Sequence, residues 1–341
     1  MGVDLGKLIE PEEISFADLN DKEIAIDAMN TLYQFLSIIR QRDGTPLKDS
    51  SGDVTSHLSG VFYRNINLLE NNIRPVYVFD GSAPELKSKE TKERRKKREE
   101  AREQWKKLKE DGKISEAYSK ATQSSKLTGD MIEESKRLLD AMGLPYVQAP
   151  SEGEAQAAAM VNNEDVYAVG SQDWDCMLFG AKRMVRNLTE RRTRKTSGGG
   201  RKKISVERIE LRKVLDELDI SREKLVWMGI LMGTDFNPKG VHGIGPKTAL
   251  KIVRKCSSFE EVLKQEKLED VEFENDPEEI LEFFMNPPVS ESDFSHGSPD
   301  NKKIRDILVE DHDFSEDRVN SGIQKLETAL ESRQSGLDSF T

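Results

Sequence analysis

The chain has 341 residues, of which 34% are charged, and a formal net charge of −11. It lacks any run of about 18 apolar residues, so a membrane-spanning helix is not expected. Two cysteines are too few for a disulfide framework, and the start lacks the basic and apolar segments of a signal peptide, so a cytoplasmic protein is expected.

The acidic excess is concentrated in one late segment. Glu260 to Glu316 contains 19 acids and 5 bases, a net of −14, which leaves about +3 for the rest of the chain. The remainder is therefore compatible with a nucleic-acid partner, although the total charge is acidic.

The first third of the chain predicts alternating strands and helices. Glu23 to Asp27 reads as a strand, Ala28 to Arg42 and Ser56 to Asn71 as helices with one apolar side, and Pro75 to Asp80 as a second strand. This order predicts an α/β fold with a central, mostly parallel twisted sheet that is flanked by helices.

A strongly basic segment follows the second strand. Lys87 to Lys113 has 13 bases, 7 acids and few large apolar residues. It is helical in pattern but poorly able to bury an apolar stripe. Two interpretations stay open: a solvated helical surface, or an arch over a phosphate path.

The same periodicities continue further along the chain. The predicted segments are a helix at Leu127–Met142, a strand at Gly143–Val147, a helix at Ala155–Val161, a strand over Val166–Val169, an edge strand at Arg183–Leu188, helices between Ser205 and Met232, a helix at Ala249–Lys255, a loop at Asn286–Asp300 and a tail over Glu331–Thr341. Arg191 to Lys203 is predicted to be a flexible basic loop, which either binds phosphates or is merely solvated.

Acidic residues stand at the ends of several predicted strands. Asp27 and Asp80 end the first two, and Asp173 and Asp175 come just after a third. Acids at the same end of neighbouring strands would converge and repel each other unless hard cations bound them. Without His or Cys beside most of these acids, Mg²⁺ or Mn²⁺ fits better than Zn²⁺. Two such cations about 3.5–4 Å apart would suit phosphodiester hydrolysis.

Two further acids open a predicted helix. Ser151 is a plausible N-cap, with Glu154 three residues later in the capping-box position. Glu154 is therefore either a capping acid or a member of the cluster. Glu152 has no such local role.

A glycine-rich turn covers Gly240 to Thr248. The turn does not match the P-loop motif, because Pro246 lengthens the spacing from glycine to lysine by one residue and no apolar strand precedes the turn. As a helix-hairpin-helix it works: Gly243 and Gly245 permit a tight turn, and the next helix can present N–H groups to a DNA phosphate, with Lys247 adding a charge. An ordinary turn between helices is the alternative.

Four motifs together resemble the flap endonucleases, the XPG-type structure-specific 5′ nucleases of replication and repair, over essentially the whole chain. They are Val76–Gly81 (VYVFDG), Ala149–Ala155 (APSEGEA), Ser171–Asp175 (SQDWD) and Gly243–Lys247 (GIGPK). The short C-terminus resembles archaeal members. The resemblance implies a single nuclease domain over 1–330 with an N-terminal region at 1–100, a helical gateway or cap at 84–130, an internal region at 120–260 and a helix-hairpin-helix at 240–256.

The resemblance also assigns residues to roles. It implies that seven acids hold two Mg²⁺ ions, for which Mn²⁺ can substitute: Asp27, Asp80, Glu152, Glu154, Asp173, Asp175 and Asp235. Lys87 and Arg94 match residues that hold and polarise the scissile phosphate. DNA contacts are implied for Gly2, Tyr33, Arg40, Arg64, Gly243, Gly245 and Lys247, with K⁺ at the helix-hairpin-helix. Tyr33 would stack on a base beside the scissile bond, or be an ordinary core residue.

The tail over residues 331–341 resembles the motif that binds the sliding clamp (PCNA). Gln334, Leu337 and Phe340 match it, and Thr341 replaces a second aromatic residue. The implied function is Mg²⁺-dependent cutting of 5′ flaps at junctions between single-stranded and duplex DNA, as in Okazaki fragment maturation and repair, with 5′–3′ exonuclease activity, by a monomer. The alternatives are a non-catalytic junction-binding scaffold associated with the clamp and a nuclease that prefers bubbles or Holliday junctions.

Overall fold

The computed structural model describes residues 3, 5–84, 86, 99–105, 107–108, 111, 116, 120, 125–189, 193–195, 201–268 and 271–338, with the backbone alone at 193–195, 201–203 and 332–338. Within these ranges, none of the helices combines the length and the apolar character that crossing a bilayer requires.

Seven strands form one mixed sheet, and two more form a separate ribbon. The strands are β1 (Glu12–Ile14), β2 (Glu23–Asp27), β3 (Arg74–Phe79), β4 (Tyr146–Gln148), β5 (Ala168–Gly170), β6 (Arg183–Arg186), β7 (Thr193–Lys195), β8 (Arg201–Lys203) and β9 (Val206–Glu210). The sheet order is β1-β9-β6-β5-β2-β3-β4. The strands from β6 to β4 run parallel, whereas β9 and β1 are antiparallel to their neighbours. The prediction of a mostly parallel sheet is confirmed.

Helices cover both faces of the sheet. Those with bounds in the described residues are α1 (Ala28–Ile38), α2 (Ser56–Glu70), α3 (Gly129–Ala141), α4 (Gly153–Asn162), α5 (Asp175–Leu178), α6 (Leu211–Leu218), α7 (Arg222–Met232), α8 (Pro246–Lys255), α9 (Phe259–Leu263), α10 (Pro277–Met285), α11 (Asn301–Arg305) and α12 (Glu316–Asp338). A π-helical turn at Asp306–Glu310 follows α11.

The alternation of side chains along the central strands divides the interior into two cores. Ala25, Val76 and Val78 belong to a core shared with α4, α5, α7 and α8. Ile26 and Tyr77 belong to the other, which is shared with α1, α2, α3 and α12. Each fully buried side chain of this size contributes roughly 1.5–3 kcal/mol to folding. Because both faces are covered, only the strand ends are open, and these carry the polar site.

The last helix, α12, is a packed element for most of its length. Val319, Ile323 and Leu326 are buried in the second core, and Gly322 approaches Phe62 so closely that an added Cβ would lie 2.5 Å from the ring. The helix continues to Asp338, whereas the sequence predicted a tail from Glu331 onward. The last three residues lie outside the described part of the chain.

Three local predictions were wrong. Ser205 to Glu210 was assigned to helices, but Val206–Glu210 is strand β9, which pairs with both β6 and β1. For the same reason β6 is an internal strand rather than an edge strand. Part of the predicted basic loop forms the antiparallel ribbon of β7 and β8, with Arg194 opposite Lys202.

Candidate active site

The carboxyl ends of β2, β3 and β5 meet at one edge of the sheet because these strands are parallel neighbours. Asp27 is the last residue of β2, and Asp80 directly follows β3. Asp173 lies three residues beyond β5. The topology therefore brings together acids that are separated by up to about 150 residues in the sequence.

Asp27 links the end of β2 to the start of α1. One carboxylate oxygen, Oδ1, accepts a hydrogen bond from the backbone N–H of Asn30 at 3.0 Å, so Asp27 is also the N-cap of α1. The other oxygen, Oδ2, accepts from the hydroxyl of Ser171 at 3.1 Å. Asp27 is buried, and both of its oxygens are oriented by these donors.

Helix α4 begins beside Asp80. The backbone N–H of Gly153, the first residue of α4, donates to Asp80 Oδ1 at 2.8 Å. The residue at the N-cap is Glu152, so the prediction that Ser151 caps this helix was wrong. The side chain of Glu154 does not form the capping-box hydrogen bond either. Its carboxylate lies 3.5 Å from the hydroxyl of Ser171 and faces the other acids.

Ser171 contacts three of the acids, and sequence reasoning missed it. Its single hydroxyl proton can be donated to Asp27 Oδ2 at 3.1 Å or to Glu154 Oε1 at 3.5 Å, and its oxygen accepts from the backbone N–H of Asp173 at 3.1 Å. Its side chain is buried. A small hydroxyl residue two positions before the first acid of an Asp-Trp-Asp motif is the signal that could have identified it.

Asp175 opens the short helix α5 and is held by the start of the chain. The backbone N–H of Val3 donates to Asp175 Oδ1 at 2.9 Å, and both residues are buried. Sequence reasoning missed this contact, because the two residues are 172 positions apart.

Asp235 lies in a tight turn after α7. The buried Asn237 side chain accepts from the Thr234 backbone N–H at 3.2 Å and from its hydroxyl at 2.7 Å. It also donates to the carbonyl of Ile230 at 2.6 Å. Asn237 therefore fixes the turn that carries Asp235, and sequence reasoning missed it.

Six of the seven acids form a continuous electrostatic row, which we call the acid row. Burial, followed by repulsion from Asp80 and Asp173, raises the pKa of Asp27 to about 7. Burial and repulsion from Asp173, Asp27, Asp175 and Asp235 raise the pKa of Glu154 well above its usual value. The members of the acid row are Asp80, Asp27, Asp173, Glu154, Asp175 and Asp235.

Asp175 lies in the same kind of environment. Burial, then repulsion from Asp173 and Asp235, raises the pKa of Asp175 well above its usual value. Glu152, the seventh acid, is buried at the start of α4 and lines the same cavity as Asp80.

The donor set fits hard divalent cations. Buried carboxylates whose pKa values are raised by one another are stabilised in the ionised form by positive charge. Among the described residues, no group of three or more His, Cys, Asp or Glu side chains is arranged so that it already encloses one metal ion.

The remaining predicted site residues have varied environments. Tyr33 is 39% exposed on α1, so the core alternative for it fails. Arg40 donates to the carbonyls of Leu36 and Gly44 and to the hydroxyl of Ser125, at 2.7–2.9 Å. Arg64 lines a surface groove of about 750 Å³ between α2 and α12, together with Arg318 and Lys325.

The glycine-rich turn precedes α8. Gly243 has a φ of +79°, a conformation that glycine adopts without strain, and Gly245 is the N-cap of α8. A Cβ added at either glycine would have no heavy atom within 4 Å, and Lys247 is exposed. Gly2, Lys87, Arg94 and Phe340, and the side chains of Gln334 and Leu337, lie outside the described parts of the chain.

Comparisons with known proteins agree over the full chain. The XPG N-terminal domain matches residues 1–101, and the XPG I-region matches residues 143–235. Flap endonuclease 1 of Pyrococcus furiosus is 51% identical over 343 residues, which cover 100% of this chain and 99% of that protein. Flap endonuclease 1 of Staphylothermus marinus is 48% identical over 354 residues, with 100% and 99% coverage. The solved structure of flap endonuclease-1 from Methanococcus jannaschii matches with a TM-score of 0.76 and 42% identity over 97% of this chain and 100% of that one.

Proposed function

The chain belongs to the flap endonuclease 1 family of structure-specific nucleases, and from this premise we propose that the acid row and Glu152 form the centre where the phosphodiester bond is hydrolysed. It is an enzyme of the metal-dependent XPG type, which excludes the non-catalytic scaffold. Identity of about half to flap endonucleases over the whole chain favours flaps over bubbles or Holliday junctions.

The observation that supports this proposal is the convergence of carboxylates from five separate segments of the chain. We infer that the metal is magnesium and that two ions bind, because the donors are several carboxylate oxygens, the ligands that hard divalent cations prefer. Bound divalent cations would supply a water activated near neutral pH and charge neutralisation at the leaving oxygen.

The chain's own residues orient the acids. Ser171 fixes the direction of the Asp27 carboxylate, and the N–H groups of Gly153 and Val3 do the same for Asp80 and Asp175. With cations bound the carboxylates would be ionised, and each of these hydrogen bonds would then have a charged acceptor and contribute roughly 1.5–3 kcal/mol. Lys87 and Arg94 stay proposed as the residues that hold the scissile phosphate, on the resemblance alone.

The glycine-rich turn is proposed as the anchor for the duplex. Gly243 and Gly245 leave space in which a phosphate can approach the backbone, and α8 presents its first N–H groups at that point. The exposed Lys247 adds a positive charge. A potassium ion held by this turn remains part of the proposal.

The proposed contacts to DNA bases and to the duplex are supported by the structure to different degrees. The exposed ring of Tyr33 is available to stack on a base beside the scissile bond. Arg64 lies in a groove lined by two other cations and two acids, Glu70 and Asp317, so its support for a phosphate contact is a net charge of +1. The guanidinium of Arg40 is occupied by internal acceptors, which supports a role in holding the loop after α1 rather than a direct duplex contact.

The clamp-binding segment and the wider role follow from the family. We propose that Gln334, Leu337 and Phe340 bind a sliding clamp, that the enzyme acts as a monomer in replication and repair, and that it has 5′–3′ exonuclease activity. The helix α12 carries the backbone of this segment as far as Asp338.

The test is cutting of a DNA with an end-labelled 5′ flap. We expect cleavage at the junction with Mg²⁺ and none in a chelator, and we expect Asp175→Asn to lower the rate by orders of magnitude while flap binding persists. Asp293→Asn, an exposed acid in the loop before α11, is the matched control and should cut normally. Full activity of Asp175→Asn, or cutting that is indifferent to metal, would refute the assignment.

A further inference from the structure

The main chain of Asp80 lies just past the point where two strands stop pairing. β4 is the edge strand beside β3, and Phe79 is paired with Gln148 at the last position of their register. The backbone N–H of Ala149 then donates to the carbonyl of Phe79 at 2.9 Å. The carbonyl of Asp80 is one residue further on, and a side chain serves it: Gln148 Nε2 donates to it at 2.5 Å, and to the carbonyl of Phe79 at 3.4 Å.

Lys136 fixes the orientation of this amide. Its ammonium donates to Gln148 Oε1 at 3.1 Å. An ammonium has only donors and a backbone carbonyl has only acceptors, so the amide satisfies both partners in one orientation alone. Turning the amide over would place its N–H groups against the ammonium and its oxygen against the carbonyl of Asp80. Lys136 therefore selects the orientation in which Gln148 donates to Asp80.

Lys136 is itself held in place by several contacts. It donates to Glu133, which precedes it by three residues on α3, at 2.9 Å. Its ammonium lies 5.1 Å from the centre of the Phe79 ring and 5.9 Å from that of Tyr146. The side chain is only 17% exposed. This lysine is therefore a fixed support between α3 and the ends of β3 and β4, rather than a mobile surface cation.

These contacts reach the proposed metal centre through Asp80. Its carboxylate is held by the N–H of Gly153 at 2.8 Å, and its main-chain carbonyl is held by Gln148. Metal–ligand distances are defined to within about 0.2 Å, so a small displacement of a ligand is felt by the metal. Hydrogen-bond partners of ligating side chains change metal affinity by about 10- to 100-fold. Because Gln148 contacts the main chain of Asp80 and not its carboxylate, we expect a smaller effect.

We propose that Gln148 and Lys136 are positioning residues for Asp80: Gln148 fixes the main chain that carries this metal ligand, and Lys136 acts through Gln148. The inference rests on the proposed function, because it takes Asp80 as a metal ligand. It adds to the site one residue from β4 and one from α3, in a role that requires no contact with the metal or with DNA.

The test measures metal binding without DNA as well as cutting. Mn²⁺ is titrated into the metal-free protein, and the free ion is followed by electron paramagnetic resonance, which gives a dissociation constant. Single-turnover cutting of an end-labelled 5′ flap is measured against Mg²⁺ concentration, and flap affinity is measured by fluorescence anisotropy in a chelator.

The variants are Gln148→Met, Lys136→Met, the double variant and Lys136→Arg. Met removes the hydrogen-bonding groups at similar length, whereas Arg keeps a cationic donor for Gln148 Oε1. Gln265→Met is the matched control, because Gln265 also donates to a backbone carbonyl, that of Glu261 at 3.2 Å, but just after α9.

Gln148→Met should weaken Mn²⁺ binding, and raise the Mg²⁺ concentration for half-maximal cutting, by about 3- to 10-fold, as expected for one hydrogen bond. Its cutting rate at saturating Mg²⁺ and its flap affinity in the chelator should match those of the wild type. Lys136→Met should shift metal binding in the same direction, and Lys136→Arg and Gln265→Met should not. In the Gln148→Met background Lys136→Met should add nothing, because the lysine acts through the amide.

Equal Mn²⁺ affinity of Gln148→Met and the wild type would overturn the proposal. The same effect of Lys136→Met in both backgrounds would also overturn it, because the lysine would then act by its own charge. If the melting temperature shows that Gln148→Met does not fold, Lys136→Met and Lys136→Arg decide: only the first should weaken Mn²⁺ binding. A wild type that neither binds Mn²⁺ nor cuts the flap would instead refute the proposed function, and this inference with it.

Discussion

Replacing Asp27 by Asn should change how the stability of the metal-free protein depends on pH. Asp27 is buried, and its pKa is raised from 3.8 to about 7 by burial and by Asp80. The folded state therefore holds a proton on Asp27 more tightly than the unfolded chain does. The resulting stabilisation is complete below pH 3.8 and is lost as the pH rises to about 7.

The size of the pKa shift of Asp27 determines how much the free energy of unfolding changes with pH. A difference of about 3 pKa units at 1.36 kcal/mol each corresponds to about 4 kcal/mol between the ends of that window. Between pH 5 and pH 7 the loss is about 2.7 kcal/mol. An unfolding entropy of about 2.1 cal/mol/K per residue converts this loss into a melting temperature lower by about 4 °C for a chain of 341 residues.

The assay is thermal unfolding of the wild type and Asp27→Asn in a chelator and in Mg²⁺ between pH 5 and pH 8. The wild type should lose about 4 °C relative to Asp27→Asn between pH 5 and pH 7 in the chelator. Mg²⁺ should reduce that difference, because bound cations favour the ionised carboxylate. Parallel curves for the two proteins in the chelator would show that the environment of Asp27 is not what the fold implies.

Three further predictions concern residues that hold the acids and the turns of the site in place. Ser171→Ala should raise the Mg²⁺ concentration needed for half-maximal cutting several-fold, because Asp27 loses an orienting donor, whereas Ser171→Thr keeps the hydroxyl and should cut normally; a titration of rate against Mg²⁺ checks this. Gly243→Ala should lower the free energy of unfolding by about 1–2 kcal/mol because φ is +79°, while Gly245→Ala, at a φ of −99° on the N-cap of α8, should cost less in the same denaturant experiment. Asn237→Ala should cost about 2–4 kcal/mol in unfolding free energy, measured in denaturant, because three hydrogen bonds of a buried turn are lost; an unchanged midpoint would contradict that role.

The central strands were predictable from sequence because they are short apolar runs that end in acids. Glu23–Asp27 was placed at its observed bounds, and the strand ending at Phe79 within one residue. Parallel pairing then forces Asp27 and Asp80 to the same edge. The acids at the strand ends followed from local pattern and general topology together, whereas Asp235 and Glu154 were assigned mostly through the family resemblance.

Strand β9 could not be predicted in the same way. In Val206–Glu210 the apolar residues Val206 and Ile209 are three positions apart, a spacing that fits a helix. Pairing with β6 on one side and β1 on the other overrides it, and both partners are remote in sequence. The wrong prediction that β6 is an edge strand has the same cause, because β9 pairs with β6 on the side that faces away from β5.

The residues that hold the acids in position could also not be predicted from the sequence. Ser171, Val3 and Asn237 act through one hydroxyl, one backbone N–H and one amide, and none of these groups is unusual in sequence. Their roles depend on which atoms meet after folding. Nothing in the periodicity of residues near Val3 indicates that its N–H points at Asp175.

The contact between Val3 and Asp175 has a practical consequence for handling the protein. Because the third residue is buried and its backbone N–H is bonded to Asp175, an affinity tag or cleavage remnant fused ahead of it would start close to the proposed reaction centre. We expect a purification handle at that end to disturb the orientation of Asp175.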